Sequence, residues 1–264
     1  MVNRGAAVAL AGAVALVACG GGQESARSEP PSPRSDPARQ EPARDGTLAL
    51  RWRMTGGIAG LGGPGTVPEF SLYEDGRTIV REERTGQLRE YRLHPAAARK
   101  LLLEARAAGL DRSRTYGSEA QIADAMVLVI TMGGARTRVV QPEAQHVPAV
   151  AFWKRLDPKG WPRAEQQAPP GEYRSARVAA LAGESPPSNG QAVSDWPIDR
   201  PLGAGERAAG ALCTVYSGDD RDTAVKHVAT ASGDHRWRSA GKVYSVRLRP
   251  LLPEEKTCED MARS

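Results

Sequence analysis

Hydrophobic and polar positions alternate from Leu48 to Met54. Leu48, Leu50, Trp52 and Met54 are set against Ala49, Arg51 and Arg53, the two-residue period of a half-buried strand. Two further runs, Phe70-Ser71-Leu72-Tyr73 and Thr78-Ile79-Val80, flank Asp75-Gly76. Asp-Gly supplies the positive φ angles of a tight two-residue loop, so these runs are expected to form a hairpin. Alternation from Leu88 to Leu93 adds another strand. The period then changes. After His94-Pro95, the residues Ala98, Leu101, Leu102 and Ala105 recur at i, i+3, i+4 and i+7, with Pro at the first helical position and Gly109 as the C-terminal cap. Residues Met126 to Met132 and Arg136 to Gln141, around Gly133-Gly134, predict a second hairpin, and Pro148 to Leu156 a short amphipathic helix. The expected fold of 47–157 is therefore α+β, an antiparallel sheet with one or two helices on one face.

Residues 158–172 lose this periodicity and hold several Pro, which marks them as a linker. A second, smaller α+β part is expected over 173–264. Its strands are Tyr173 to Leu181, Ala211 to Tyr216 and Val243 to Leu248. Its helix runs near Asp219 to Ala231, with Val225, Val228 and Ala229 facing inward.

The N-terminus follows another logic. One cation, Arg4, precedes an apolar run from Ala6 to Ala18 that is too short to span about 30 Å of hydrocarbon at about 1.5 Å per residue. Leu16-Val17-Ala18-Cys19, followed by Gly20-Gly21-Gly22, resembles the lipobox of bacterial lipoproteins, and the general pattern resembles lipoproteins of high-G+C Gram-positive bacteria. The resemblance implies a signal peptide over 1–18, cleavage before Cys19, acylation of Cys19, and anchoring in the lipid bilayer on the extracytoplasmic face of the cell membrane. From Gly20 to Gly46 the chain has five Pro, nine charged residues and no Leu, Ile, Val, Met or aromatic. Nothing there repays the entropy of ordering, so 19–46 is expected to be the lipidated residue and a disordered tether.

Composition adds little chemistry. The chain of 264 residues carries 36 Lys and Arg against 31 Asp and Glu, and only six of the cations are Lys. Arg alternates with acids, as in Arg81-Glu82-Glu83-Arg84, instead of collecting on one stripe, which argues against a nucleic-acid partner. The lipoprotein resemblance places the chain in an oxidising compartment. With Cys19 acylated, Cys213 and Cys258 are expected to pair and to make the second part a disulfide-bridged one.

Candidate catalytic motifs fail on their context. Gly60 to Gly65 fits G-x-G-x-x-G, but Thr66-Val67-Pro68 leads toward a strand where a dinucleotide site needs a helix. Ser239-Ala240-Gly241-Lys242 fits S-x-x-K, but Gly241 interrupts it and no Lys-Thr-Gly follows. His94, His146, His227 and His235 are scattered, though His227 and His235 are near enough to meet, and neither H-E-x-x-H nor C-x-x-C occurs. Asp219, Asp220 and Asp222 lack calcium-loop spacing and read as acids at a helix start. No metal or cofactor is expected. Trp153, Trp161, Trp196 and Trp237 stand out because aromatics are otherwise scarce: exposed they would form a stacking platform for sugars or peptide, buried they fill cores, and burial is the expectation.

The stretch Gly56-Gly57-Ile58-Ala59-Gly60 after the first strand is similar to a Gly-Gly-apolar-Ala-Gly stretch in the emfourin family of small metalloprotease inhibitors, across 47–157. The strands over 70–93, inserted before the helix, depart from that family. The resemblance implies a loop that presents backbone and Ile58 to a protease cleft, and it makes Gly56, Gly57, Ile58, Ala59 and Gly60 the candidate binding residues. The expected function is that of a non-enzymatic binding or interaction module on the cell envelope, with an exterior protein or wall polymer as partner. A protease inhibitor and a cell-envelope hydrolase with an unrecognised site are the alternatives.

Overall fold

In the computed structural model the alternating run becomes β1 (Leu48–Gly56), a strand in the interior of an eight-stranded sheet. The structure describes residues 46–57, 62–63, 65–118, 124–188, 190–231 and 233–264; the expected signal peptide and all of the tether but Gly46 lie outside them. The other strands of this sheet are β2 (Phe70–Tyr73), β3 (Arg77–Arg81), β4 (Leu88–Arg92), β5 (Arg114–Tyr116), β6 (Met126–Met132), β7 (Ala135–Val140) and β8 (Gly171–Glu172). Their order is β5-β7-β6-β1-β2-β3-β4-β8, antiparallel throughout except between β5 and β7. Two helices, α1 (Pro95–Ala107) and α2 (Pro148–Lys154), pack on one face. There Ala98, Leu101, Ala105, Val150 and Phe152 meet Leu50, Phe70, Leu72, Leu128 and Ile130.

The structure departs from the expected pattern in three places, each with a local cause. The register of β1 slips between Leu48 and Leu50, so Leu48 leaves the helix-covered face and packs with Tyr73 and Leu252. The Asp75-Gly76 loop spans three residues, because Gly76, at φ +83°, adds a left-handed step after the turn that begins at Tyr73. Residues 158–172 carry two 3-10 turns and β8, and Gln166 bridges to Leu93, so this stretch edges the first sheet.

The second sheet has six strands: β9 (Arg177–Glu184), β10 (Val193–Asp195), β11 (Glu206–Ala208), β12 (Ala211–Ser217), β13 (Arg236–Ser239) and β14 (Lys242–Pro250). They run in the order β10-β13-β14-β9-β12-β11. The run Val178-Ala179-Ala180-Leu181-Ala182 in β9 is buried on both sides, as a near-continuous apolar strand should be. Helix α3 (Gly218–Thr230) covers one face through Ala224, Val225 and Val228, with Trp237, Tyr216 and Tyr244 beneath it; Ala229 points to solvent, contrary to its expected inward position. Helix α4 (Cys258–Arg263), capped by Thr257 and Asp260, lies on the other face.

The fold is thus α+β, with two sheets and four α-helices among the described residues. Both sheets fall within one compact unit, Pro42–Ser264. Their facing sides are joined by the loop over 62–69 and the C-terminal segment from Leu251 onward. Among the described residues no helix is long and apolar enough to cross a membrane.

Candidate functional site

The densest gathering of ionisable groups lies in this seam. In β1 the alternation puts Arg51 and Arg53 on the side away from the helices, and both are buried. Residues of that polarity read as solvent-facing in sequence, but here a second sheet and its tail cover them. Arg51 donates to the Ser71 hydroxyl and pairs with Glu254, whose other carboxylate oxygen accepts from the Tyr73 hydroxyl at 2.6 Å. Arg53 donates to the carbonyl oxygens of Gly62 and Thr66, at 3.3 and 3.0 Å. From the second sheet, Arg249 reaches the same Thr66 carbonyl and pairs with Glu255, which also accepts from the Leu252 amide.

Burial sets the protonation of these groups. It lowers the Arg51 pKa to about 10, against the raising influence of Glu255, and leaves the guanidinium charged at neutral pH. Burial likewise lowers that of Arg53 and raises that of Tyr73. For Glu255 burial alone would raise the pKa. The hydrogen bond and charge of Arg249, helped by Leu252 and Ser264, outweigh it and hold the carboxyl below its ordinary value.

Cys213 in β12 and Cys258 at the start of α4 lie at disulfide distance, 2.06 Å, with both residues buried. The pairing ties the same tail to the second sheet. Ion pairs, hydrogen bonds and the sulfur pair therefore all fasten one segment, and the network serves to hold it.

The glycine stretch divides. Gly56 ends β1 at φ +91° and lies so close to the Ala125 carbonyl oxygen that a Cβ would overlap it; Gly57 follows at φ +72°. Ile58, Ala59 and Gly60 lie outside the described residues. At Gly62, φ +66°, the chain is back against the Met54 carbonyl. Gly65 then packs against Leu181 and Ala209 of the second half. Gly56 and Gly62 thus serve tight backbone approaches, Gly57 and Gly65 lie against side chains, and no helix opens after Gly65, as a dinucleotide site would require.

Other motifs resolve into structural roles. Ser239 and Lys242 face each other across a hairpin whose turn is Ala240-Gly241; the Ser239 hydroxyl accepts from the Leu202 amide and Lys242 pairs with Glu184. His227 and His235 both lie against Trp237, with ring centroids 6.5 and 4.8 Å away. Asp219 and Asp220 occupy the first turn of α3, where their charge suits the helix dipole. Trp196 and Trp237 are buried, and Trp153 meets Trp52 edge to face at 5.6 Å. Among the described residues no group of three or more His, Cys, Asp or Glu is placed to hold a metal ion.

Among the clefts that the described residues form are two open ones. One, of about 660 Å³, lies beside Thr47, Leu48, Arg106, Asp111 and Gly133. The other, of about 390 Å³, is bounded by Lys100 of α1, Lys154 and Arg155 at the end of α2, and Asp157, Trp161 and Glu165 from the 3-10 turns. Neither is lined by His94, His146, His227 or His235. Trp161, expected to fill a core, is only partly buried: it packs against the first core from outside and lines the second cleft, because the segment that carries it edges the sheet instead of entering it.

No family model, curated protein or solved structure matches this chain.

Proposed function

We propose that this protein is a lipoprotein of the extracytoplasmic membrane face, held by acyl chains on Cys19, and that its folded region is a binding module with no catalysis of its own. The observation that carries the reading is the distribution of its three cysteines. Two of them stand at bonding distance inside the fold, which suits an oxidising exterior compartment. The third closes the apolar run at the N-terminus, where acylation would anchor it. Each buried methylene adds about 0.8 kcal/mol of membrane affinity, and several chains on one residue make attachment effectively permanent.

A binding role is favoured over chemistry by how the reactive groups are employed. Arg51, Arg249, Glu254, Glu255 and Tyr73 satisfy one another in the seam, away from either cleft. The clefts instead present polar and charged side chains to solvent, groups that can recognise a ligand without reacting with it. The partner is an exterior protein or wall polymer. Membrane fractions prepared from cells expressing the full chain, solubilised and captured through a C-terminal tag, test this. A binding module retains an envelope component that salt or competing polymer releases, and recovery of the protein alone, or of a turnover activity in purified protein, would count against it.

A further inference from the structure

We propose that the cleft beside Trp161 binds a saccharide. The inference rests on the binding-module reading and names the ligand's chemistry; it does not depend on lipidation.

The indole is held from three directions. Its Nε1 donates to the Arg155 carbonyl at 3.1 Å, and the ring stands at 90° to Phe70 and 74° to Tyr91, with centroid distances of 6.1 and 5.9 Å. The segment that carries it is itself pinned, because the His94 amide donates to the Glu165 carbonyl at 2.9 Å and Gln166 bridges to Leu93. Trp161 is only partly buried and lines the cleft, so a ring fixed before binding faces the ligand at little further cost in conformational freedom.

The rim supplies both kinds of hydrogen-bonding group. Lys100, Lys154 and Arg155 donate, while Asp157 and Glu165 accept. Lys100 and Glu165 stand 3.7 Å apart, close enough to be bridged by one hydroxyl. A sugar ring answers this set, since its C–H face packs on an indole and its neighbouring hydroxyls both donate and accept. The two carboxylates argue against phosphates, which would meet like charge there, so a single-stranded nucleic acid stacking on Trp161 is the disfavoured occupant. The volume, about 390 Å³, falls in the range of small-ligand sites.

Affinity electrophoresis of the full-length, detergent-solubilised protein tests the proposal, using gels that hold a soluble neutral glucan, a neutral mannan or single-stranded DNA. The expected result is retardation by at least one polysaccharide, weakened about tenfold or more by Trp161→Ala, in line with loss of an aromatic contact, and unchanged by Lys226→Ala on α3. If circular dichroism shows Trp161→Ala unfolded, Glu165→Ala takes its place and weakens binding about threefold, as loss of one hydrogen bond should, and unchanged binding in it would overturn the proposal. Retardation by DNA alone, by neither polysaccharide, or equally in wild type and a folded Trp161 variant would overturn the proposal. Such a failure would leave acyl labelling of Cys19, and hence the anchoring, untouched.

Discussion

Arg249 donates to Glu255 at 2.8 Å, and the two side chains are each 1% exposed. They stand six residues apart in sequence, across the bend between β14 and α4. An ion pair so placed gains stability only while both partners remain, because either charge alone would be stranded in a low-dielectric seam.

Glu255→Gln and Arg249→Leu are each expected to destabilise the folded protein by about 3–5 kcal/mol, the usual result of removing one partner of a buried pair. Urea denaturation followed by tryptophan fluorescence checks this. A loss below about 1 kcal/mol would mean that water reaches the pair and screens it.

The sulfur pair closes 45 residues, for which the chain-entropy model gives roughly 4 kcal/mol. Cys258→Ser should lower stability by that order, and the doubly substituted protein should resemble the single variant. Intact-mass analysis after thiol labelling without reductant should find neither Cys213 nor Cys258 labelled. Two labelled thiols would contradict the bond.

Acid should loosen the tail first. The Glu255 carboxyl is held below its ordinary value, and hydrogen bonds from the Lys256 amide and Thr257 pull Asp260 down to about 2. A carboxyl with a lowered folded-state pKa contributes stability that is fully present above its unfolded value and is lost as pH falls through the folded one. The melting temperature is therefore expected to hold down to about pH 4.5 and to fall between there and pH 2, less steeply in Asp260→Asn. A fall that begins near pH 6 would point to histidines instead.

Gly62→Ala and Gly56→Ala should each destabilise by more than about 1 kcal/mol, since both positions combine positive φ with a carbonyl oxygen where the Cβ would go. Gly86→Ala, at φ +69° but with open space around it, isolates the backbone contribution and should cost less. Equal losses at all three positions, measured by thermal melting, would remove the steric argument for Gly56 and Gly62.

Much of the first sheet was legible because its signals were local. Pro95 and the spacing of Ala98, Leu101 and Ala105 marked α1, and Gly133-Gly134 marked the β6–β7 turn. The seam was not legible, for a physical reason. Arg51 and Arg53 carry the polarity of a solvent-facing row, yet Arg51 is buried against Glu254, about 200 residues later, and Arg53 against the Gly62 and Thr66 carbonyls and under the second sheet. Long-range pairing leaves no periodic trace in a single sequence. Trp161 was hidden differently: the proline-rich run around it has no period, yet 3-10 turns and a bridge to Leu93 give it a fixed place. Leu48 followed its alternation until a bulge turned it over.

The most direct test of the account is metabolic labelling with a clickable fatty-acid probe in cells expressing the full chain, wild type beside Cys19→Ser, followed by membrane fractionation. The account predicts a labelled, membrane-bound wild-type protein that lacks its first eighteen residues, and an unlabelled variant. Wild-type protein found unlabelled in the cytosol with its leader uncut would contradict it.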